Sequence, residues 1–424
     1  MGNHGLGRRD FLKASAAGAA LLVARAGRAE DAPAKADDLN IAILGAGKHG
    51  RDLLNYALDI PGVRFKAVCD IWPYARDYAS RLLKKRGHEV AVYEDHREML
   101  AAAKDLQAAI VATPDAFHAD QTVDCLKAGL HVYCEKEMHH TLEGARRMVL
   151  AARETKKLLQ VGRQHRSNPR YHTALDLLDA KKALGRLLHV SGQWHGHKRV
   201  PFKWPEKYAL DQATLTKYGY ESMQQFRDWR WSPKFSAGEI ANLGSHQIDV
   251  FNWFLHAVPK AVSATGGRDF YDFYDSCDNV SCLFEWDGAA GDKPSVVRGD
   301  YHILTYTDDG GFFETFTGNE GALTISEDPA KGGLRREAGA PEAEWEKALT
   351  ASPPGRNYPP NPTPEGEKPP HWYHLKNFFD AVRGKATLTC PAEVGYQATV
   401  TVLKVNEAMK AGRRLDYRPE EFKV

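Results

Sequence analysis

The sequence has no apolar run of the ~18 residues that a membrane-spanning helix needs. It contains only six cysteines among 424 residues, and no two of them form a Cys-x-x-Cys pair. This scarcity argues against a disulfide scaffold or a cysteine metal centre and predicts small buried side chains instead.

A strong charge of one sign is also missing. The whole chain carries +2, and residues 1–29 hold five basic side chains against one acidic side chain, which leaves about −2 for the rest. A nearly neutral protein lacks the signature of a nucleic-acid binder.

The amino-terminal 29 residues have the pattern of an export signal. Residues 8–13, Arg-Arg-Asp-Phe-Leu-Lys, precede a short apolar stretch at 14–24 and an Ala-x-Ala sequence at 24–26. The paired arginines resemble a twin-arginine signal, so we expect the twin-arginine export machinery to carry the folded protein to the periplasm or another extracytoplasmic compartment. The simpler alternative is a frayed amino-terminal helix. We predict a linker at 30–38.

The rest of the chain has the composition of a globular protein, with 43% apolar and 26% charged residues. Its first predicted domain, residues 39–165, opens with an apolar strand at 39–44 and the turn Gly-Ala-Gly-Lys-His-Gly at 45–50, followed by a helical pattern. Glycines in this context let a pyrophosphate approach the backbone N–H groups at the positive end of the helix. We therefore expect cofactor contacts from Gly45, Gly47, Lys48, His49 and Gly50.

A second apolar strand, at 64–69, ends in Asp70, which lies 20 residues after the last glycine of the turn. At this distance a carboxylate accepts hydrogen bonds from the adenosine ribose of a dinucleotide. The next residue, Ile71, is not basic, so an adenosine 2′-phosphate would meet negative charge without an obvious partner. This favours NAD over NADP, although Arg76, one or two turns later, could reverse the preference.

Further strand patterns at 108–112, 130–134 and 158–162 alternate with helical patterns. Such alternation predicts a doubly wound parallel sheet. Residues just beyond the carboxyl ends of its strands face the ligand crevice, which places Thr113, His118 and Lys136 there.

The glycine turn, Ala112-Thr113-Pro114 with His118, and Glu135-Lys136 after a strand resemble the glucose-fructose oxidoreductase and inositol dehydrogenase family (Gfo/Idh/MocA). The resemblance implies a Rossmann domain and a second α/β domain whose open sheet covers the nicotinamide and often supports a homo-oligomer. It implies a catalytic lysine, matched by Lys136. A proline normally follows that lysine, whereas this chain has Glu137. The expected cofactor contacts are then extended by Thr113, Pro114, His118, Glu135, Lys136 and Gln164.

Residues 166–424 are predicted to form the second domain of an α/β protein, with a large, mainly antiparallel sheet. Strand patterns occur at 187–194, 279–286 and 296–305, and helical patterns occur at 171–178, 371–382 and 392–411. The segment 353–370 holds 8 of the 22 prolines and is predicted to be an irregular surface loop.

The segment 236–249 carries the next candidates for chemistry. If it is helical, Asn242, His246 and Asp249 project from one face. The segment resembles the family's Asp-x-x-x-His helix, with Asn242 in place of the aspartate; an amide can orient a hydroxyl but cannot accept its proton. We therefore predict catalytic roles for Lys136 and His246, with Asn242 orienting the substrate and Asp249 orienting the imidazole. A buried lysine near other cations has a lowered pKa and can itself be the base. The alternative is an ordinary buried helix histidine.

An aromatic and basic cluster, at 194–199 and 226–231, suits a cleft in which indole faces stack on sugar rings. The alternative is a core or interface cluster. His195 and His197 share a face of a strand, but no third metal ligand is identifiable, so we predict no metal site. The predicted substrate contacts are Arg166, His195, His197, Trp229 and Arg230.

Together these patterns predict an exported oxidoreductase that moves a hydride between a carbohydrate ring carbon and tightly bound NAD. A second substrate would then return the bound cofactor to its starting redox state. One alternative is a redox-neutral glycosidase that oxidises the sugar, eliminates the aglycone, adds water and returns the hydride. Another is a non-catalytic protein that binds NAD or sugar.

Overall fold

The computed structural model describes residues 38–196, 198–288, 295–328, 331–348, 356–358 and 367–424. The predicted export signal, His197 and most of the predicted loop at 353–370 lie outside these residues. Within the described ranges, no helix is long and apolar enough to cross a membrane.

The first sheet is entirely parallel and has six strands in the order β3-β2-β1-β4-β5-β6. Helices cover both faces of such a sheet, which explains why every residue of β4 and nearly every residue of β1 is buried. This order is that of a Rossmann domain. The strands are β1 (Leu39–Leu44), β2 (Val63–Cys69), β3 (Ala91–Tyr93), β4 (Ala108–Val111), β5 (His131–Cys134) and β6 (Leu159–Val161).

Five helices connect these strands. Each presents an apolar stripe to the sheet; in α1, for example, Leu53, Leu54 and Ala57 are buried. The helices are α1 (Lys48–Leu58), α2 (Pro73–Lys85), α3 (His96–Ala102), α4 (Asp115–Lys127) and α5 (Leu142–Thr155).

The second sheet has nine strands in the order β14-β13-β12-β11-β7-β10-β9-β8-β15. Only β7 and β10 pair in parallel, so the predicted mainly antiparallel sheet and the α/β fold class are confirmed. The strands are β7 (Leu187–His195), β8 (Ala261–Gly267), β9 (Asn279–Gly288), β10 (Ser295–Leu304), β11 (Phe312–Gly318), β12 (Gly321–Ile325), β13 (Gly333–Arg336), β14 (Arg356–Tyr358) and β15 (Leu415–Asp416).

The helices of the second half link the two sheets. The long carboxy-terminal helix packs against both α5 and β8, and the helix before it packs against α1. These contacts hold the edge of the Rossmann sheet against the second domain and place the crevice between them. The helices are α6 (Pro169–Asp179), α7 (Gln212–Lys217), α8 (Met223–Arg227), α9 (Ser245–Phe254), α10 (Pro370–Val382) and α11 (Ala392–Ala411). A π-helical turn (Ile240–Gly244) precedes α9, and short 3-10 turns lie at Gln164–Ser167, Glu206–Tyr208, Trp229–Trp231, Glu344–Ala348 and Pro419–Phe422.

All six cysteines are free thiols, and five of them are buried. They pack as small apolar side chains, as the sequence pattern predicts.

Candidate active site

The glycine turn joins β1 to α1, and each of its three glycines meets a different environment. Gly45 has a φ of +86°, and a Cβ there would lie 2.6 Å from the carbonyl group of Ala112. A Cβ on Gly50 would lie 1.9 Å from the carbonyl oxygen of Gly45. Gly47, the N-cap of α1, would place a Cβ in open space, with nothing within 4 Å. The turn is thus closed on the protein side and open at the helix N-terminus, where it fits a dinucleotide pyrophosphate.

Asp70 lies at the end of β2 beside this turn. Its Oδ2 accepts a hydrogen bond from the Ala46 N–H at 2.7 Å, and its Oδ1 accepts one from the Trp72 N–H at 2.8 Å. Burial raises the pKa of Asp70, while these hydrogen bonds and the nearby Arg76 and Arg227 oppose that shift. Each carboxylate oxygen keeps a further lone pair, so the carboxylate can still accept a ribose hydroxyl.

Other predicted cofactor contacts lie along the same edge of the sheet. Lys48 is exposed at the first position of α1, and His49 is half-buried next to it. Thr113 and Pro114, also half-buried, connect β4 to α4, and the Thr113 hydroxyl donates to Gln121 Oε1 at 2.6 Å.

His118, predicted to contact the cofactor, has both ring nitrogens occupied by backbone carbonyls. Nδ1 lies 2.7 Å from the Glu137 oxygen and Nε2 lies 2.7 Å from the Thr113 oxygen. Burial alone would lower the pKa of His118, but its neighbours, among them Cys134 and the Glu137 carbonyl, raise it to about 10. Both nitrogens can donate at once only in the imidazolium form. His118 is therefore a positioning residue that joins two crevice loops, and its prediction as a cofactor contact is corrected.

Lys136, which follows β5, points toward the second domain. Its Nζ donates to the backbone carbonyl of Asn242, and the Lys136–Glu137 peptide bond is cis. Burial lowers the pKa of Lys136, and although the carboxylate of Glu135 opposes this, the pKa stays below its usual value. A neutral amine, able to accept a proton, is thus more accessible here than in a surface lysine.

Glu135 is 4% exposed and lies within a group of polar side chains beside Lys136. Its Oε1 accepts from the Tyr133 hydroxyl at 3.2 Å and lies 3.2 Å from His49 Nε2. Burial would raise the pKa of Glu135, but His49, His371 and Lys136 lower it well below its usual range. His49, Glu135 and His371 bring their ligand atoms within 4.8 Å of one another. Because both histidines lower the pKa of Glu135, we interpret this group as an electrostatic cluster that keeps Glu135 ionised.

The sequence pattern at 236–249 suggests one regular α-helix, but the segment that carries Asn242 and His246 does not form one. Residues Ile240–Gly244 form a π-helical turn, and α9 begins only at Ser245. A π turn inserts one extra residue, so Asn242 and His246 do not stand on successive α-helical turns. Asn242 meets Lys136 through its backbone carbonyl, and its side chain is half-buried.

His246 is 8% exposed and faces the same crevice. Its ring centre lies 5.2 Å from that of His165 and 6.3 Å from that of Trp194. Burial and the positive charges of Lys136 and His165 hold the pKa of His246 well below its usual value. Its Nδ1 is buried and has no hydrogen-bond partner within the described part of the chain. A neutral imidazole with an unused nitrogen can bind a hydroxyl group.

Asp249, predicted to orient the His246 imidazole, pairs instead with Arg166. Arg166 donates to both carboxylate oxygens, from Nε at 2.8 Å and from Nη2 at 2.9 Å. Asp249 is 1% exposed, so this bidentate pair is shielded from water. The predicted role of Asp249 in orienting the imidazole is corrected, because its carboxylate binds Arg166 instead. The guanidinium of Arg166 anchors α9 to the end of the Rossmann domain, and its contact with substrate stays a prediction.

Arg163, which the sequence patterns did not single out, joins the Lys136 loop to α9. One of its guanidinium nitrogens donates to the Glu137 carboxylate, and another donates to the Ser245 carbonyl at 2.8 Å. The side chains of Arg163 and Glu137 are 1% and 0% exposed. Glu137 thus occupies the family's proline position as the charge partner of a buried arginine. The pair positions both Lys136 and His246.

Gln164, predicted to contact the cofactor, and His165 follow Arg163 in a 3-10 turn. His165 Nε2 lies 2.7 Å from Glu327 Oε1, and its ring stacks on that of Tyr171 at 4.5 Å. Gln164 is buried and interacts with Glu327, but its Oε1 has no hydrogen-bond partner within the described ranges. That oxygen remains available to a ligand.

His195, predicted to contact substrate, lies at the end of β7, and both of its ring nitrogens have hydrogen-bond partners. Its Nε2 lies 2.9 Å from His302 Nδ1, and its Nδ1 lies 2.5 Å from the Asp309 carbonyl oxygen. The imidazole therefore joins the end of β7 to β10 and to the loop that carries Asp309, and its contact with substrate stays a prediction. The guanidinium of Arg230 lies over the indole of Trp229, 4.3 Å from the ring centre. Both side chains therefore belong to the same wall of the crevice.

Sequence reasoning missed several site residues because their partners are distant in the chain. The available signal was the run of polar residues at 163–166, directly after a buried strand. Glu239, next to the glycine that precedes the π turn, also stood within the segment already singled out. The missed residues are Arg163, His165, Glu239, Glu327 and His371.

Two family models match the chain and together cover more than half of it. Residues 39–163 match the oxidoreductase family with an NAD-binding Rossmann fold, and residues 171–293 match the GFO/IDH/MocA carboxy-terminal domain. The first range contains all six strands of the Rossmann sheet, and the second contains β7, β8 and β9 of the second sheet.

Curated relatives are similar over part of their length. The inositol 2-dehydrogenase of Salmonella paratyphi B is 27% identical over 226 residues, which are 53% of this chain and 56% of that protein. The inositol 2-dehydrogenase of Burkholderia cenocepacia is 33% identical over 221 residues, or 51% of this chain and 54% of that protein. The chain thus spans about half the length of these relatives.

A solved structure has the same fold at low identity. The WlbA dehydrogenase from Bordetella pertussis, in complex with NADH and UDP-GlcNAcA, superposes with a TM-score of 0.67 at 19% identity, covering 91% of this chain and 99% of that one. The family models and this likeness agree with the fold described above. This chain belongs to the Gfo/Idh/MocA family of NAD-binding oxidoreductases.

Proposed function

We propose that this protein oxidises a ring hydroxyl of a sugar or glycoside with NAD as the hydride acceptor. The observation that carries the proposal is the placement of Lys136 and His246. They come from different domains, yet both face one crevice at the carboxyl ends of the Rossmann strands, where His246 is buried and Lys136 is half-buried, and the charge of Lys136 lowers the pKa of His246. The relatives named inositol 2-dehydrogenase support a polyhydroxylated ring as substrate.

The glycine turn would hold the cofactor pyrophosphate on the open side of Gly47, and Asp70 would hold the adenosine ribose. When bound, the nicotinamide supplies the hydride acceptor.

Replacement of Gly47 by alanine tests this arrangement, because a Cβ there meets no protein atom within 4 Å. We expect the melting temperature to change by less than ~3 °C while NAD affinity falls at least ~10-fold, since the methyl group occupies the space meant for the pyrophosphate. Unchanged NAD affinity would contradict it.

Lys136 would take the hydroxyl proton at Nζ in its neutral form. His246 would hold the hydroxyl oxygen, and the backbone carbonyl of Asn242 would keep the amino group in place. Asn242 keeps its predicted role of contacting the substrate through its amide. Because the Lys136 pKa is lowered, we expect kcat/KM to rise with pH and level off below the usual lysine value of 10.5.

Substitution of this base gives a direct test. Lys136→Met should lower kcat/KM by at least ~100-fold and remove the rise with pH. Lys385→Met, at an exposed lysine, is the matched control and should leave activity unchanged. Retention of full activity by Lys136→Met would refute the assigned base.

We further propose that NAD(H) stays bound and that a second substrate recycles it. The absorbance of protein purified without added cofactor, mixed with a panel of nitrophenyl glycosides, distinguishes the alternatives. A reduced-nicotinamide band of at most one equivalent per chain, without release of nitrophenol, fits a dehydrogenase that awaits an acceptor. Continuous release without a lasting band fits the redox-neutral glycosidase.

For the compartment, we propose twin-arginine export on the basis of Arg8 and Arg9. A change of both arginines to lysine should retain the full-length protein in the cytoplasm, as measured by cell fractionation. Periplasmic accumulation of that variant would contradict the proposal.

We also propose that the protein forms a homo-oligomer, as the family resemblance implies. Light scattering of the purified protein measures its oligomeric state.

A further inference from the structure

Glu239 is a buried carboxyl group whose oxygens make no hydrogen bond of normal geometry in the described part of the chain. The residue is 1% exposed, and both Oε1 and Oε2 are buried and unpartnered. Leaving such a group unsatisfied is costly, so an orphaned buried carboxylate requires an explanation. Glu239 immediately precedes the π turn whose Asn242 carbonyl binds Lys136, which places it beside the proposed reaction centre.

Two further orphaned groups lie around this carboxylate. Arg199 Nε and the Tyr274 hydroxyl are buried and make no hydrogen bond of normal geometry within the described ranges, although the Tyr274 hydroxyl interacts with the Glu239 carboxyl group. Burial raises the pKa of Glu239, and the charges of Arg199 and Arg230 and the hydroxyl of Tyr274 oppose that shift. The two arginines therefore lie near the carboxyl group, although no hydrogen bond of normal geometry joins them to it.

The walls of this space are rigid. The Tyr271 hydroxyl accepts from the Arg199 N–H at 2.6 Å, and the Tyr271 ring stacks on Tyr274 at 4.6 Å. Tyr274 in turn stacks on Trp231 at 4.5 Å, and the Trp231 carbonyl accepts from the Asp275 N–H at 3.1 Å. Trp231 is the chain neighbour of Arg230. The stacked rings thus connect the chain at Arg199 to the chain next to Arg230 without using the Glu239 oxygens.

A ligand that fits must donate to the carboxylate and accept from the guanidinium groups. A hydroxyl group does both, and adjacent ring hydroxyls can engage both carboxylate oxygens. We propose that Glu239 is a specificity-determining residue that binds hydroxyl groups next to the oxidised carbon, between Arg199 and Arg230, and so selects rings with adjacent hydroxyls. This inference rests on the proposed oxidation of a carbohydrate ring. It also assigns a carboxylate contact to a site in which Asn242 cannot provide one.

The test pairs a change in the protein with a change in the substrate. The NAD-loaded wild type and Glu239→Gln are compared on methyl glucoside, methyl galactoside, methyl mannoside and myo-inositol, and on monodeoxy analogues of whichever is oxidised fastest. Removal of a hydroxyl that Glu239 binds should lower wild-type kcat/KM by ~10- to 100-fold, because it leaves the carboxylate unpaired. The penalty for that analogue should shrink to less than ~5-fold in Glu239→Gln and be partly restored in Glu239→Asp.

Glu346→Gln is the matched control, since Glu346 is also a buried carboxylate but pairs with Arg336 away from the crevice. It should leave the deoxy penalties unchanged. If Glu239→Gln lowers activity equally on parent and deoxy sugars, the carboxylate only balances the two arginines and the inference is wrong.

Failure of the proposed function gives a separate result. If the wild type oxidises none of the four probes, binding of the same probes to the NAD-loaded protein is measured by tryptophan fluorescence. Binding that weakens at least ~10-fold in Glu239→Gln supports the role of Glu239 without the oxidation. No binding, or binding that the substitution leaves unchanged, overturns it.

Discussion

Substitution of Glu137 by glutamine should destabilise the protein far more than loss of an ordinary surface ion pair. The Glu137 carboxylate is fully buried against Arg163, whose side chain is 1% exposed. Removing one partner of such a pair leaves an uncompensated buried charge, at a cost of about 3–5 kcal/mol in the free energy of unfolding. Glutamine keeps the shape of the side chain, so the loss of charge accounts for most of the effect.

Urea unfolding monitored by tryptophan fluorescence measures this difference. Asp120→Asn is the matched control, because Asp120 pairs with Arg147 at 2.7 Å but the two side chains are 57% and 50% exposed. We expect a loss of less than about 1 kcal/mol there. Since Arg163 also donates to the Ser245 carbonyl at the start of α9, Glu137→Gln should lower kcat as well. Equal losses of stability in the two variants would refute the assignment of a buried ion pair.

Three further predictions concern the glycine turn, cofactor choice and pH. Gly45→Ala should cost at least ~2 kcal/mol more than Gly87→Ala in urea unfolding, because both positions have positive φ but only Gly45 would meet backbone atoms at 2.6 Å; equal costs would contradict it. Asp70→Ser should lower the ratio of NAD to NADP affinity at least ~10-fold in binding titrations, since it removes the carboxylate that repels the 2′-phosphate; an unchanged ratio would exclude that role. His165 lowers the pKa of Glu327 to about 2, so the ion pair should stabilise the protein above pH 4.5 by about 3 kcal/mol, and that stabilisation should be lost between pH 4.5 and 2. Comparison of acid unfolding in wild type and Glu327→Gln measures the loss, and identical acid transitions would count against the pair.

The positions of the glycine turn and of Asp70 beside it could be predicted from sequence because these residues are close together in the chain. The glycine turn spans residues 45–50, and Asp70 follows the next strand. Parallel strands bring their carboxyl ends to one edge, so order along the chain predicts position in the crevice. The individual role of His118 could not be predicted this way, since its two carbonyl partners come from loops 5 and 19 residues away.

The arrangement of Asn242, His246 and Asp249 could not be predicted from the spacing of residues along the chain. A regular 3.6-residue period predicts that Asn242 and His246 share a face, but the π turn changes that relation. Asp249 has a stronger partner in Arg166, 83 residues earlier in the chain, than the histidine one turn before it. A fixed spacing shows which side chains can meet on one helix but gives no account of a competing charge from another element.

The sequence by itself determined the family, the parallel and antiparallel sheets and the position of Lys136, because these follow from local hydrophobic periods and from short motifs. The tertiary structure decided which charges are paired. It places Glu137, Arg166 and Asp249 in buried ion pairs, whereas Glu239 makes no hydrogen bond of normal geometry to any residue that the structure describes. Burial makes an unpaired charge costly, so the distribution of partners across the crevice determines which groups remain free for a ligand.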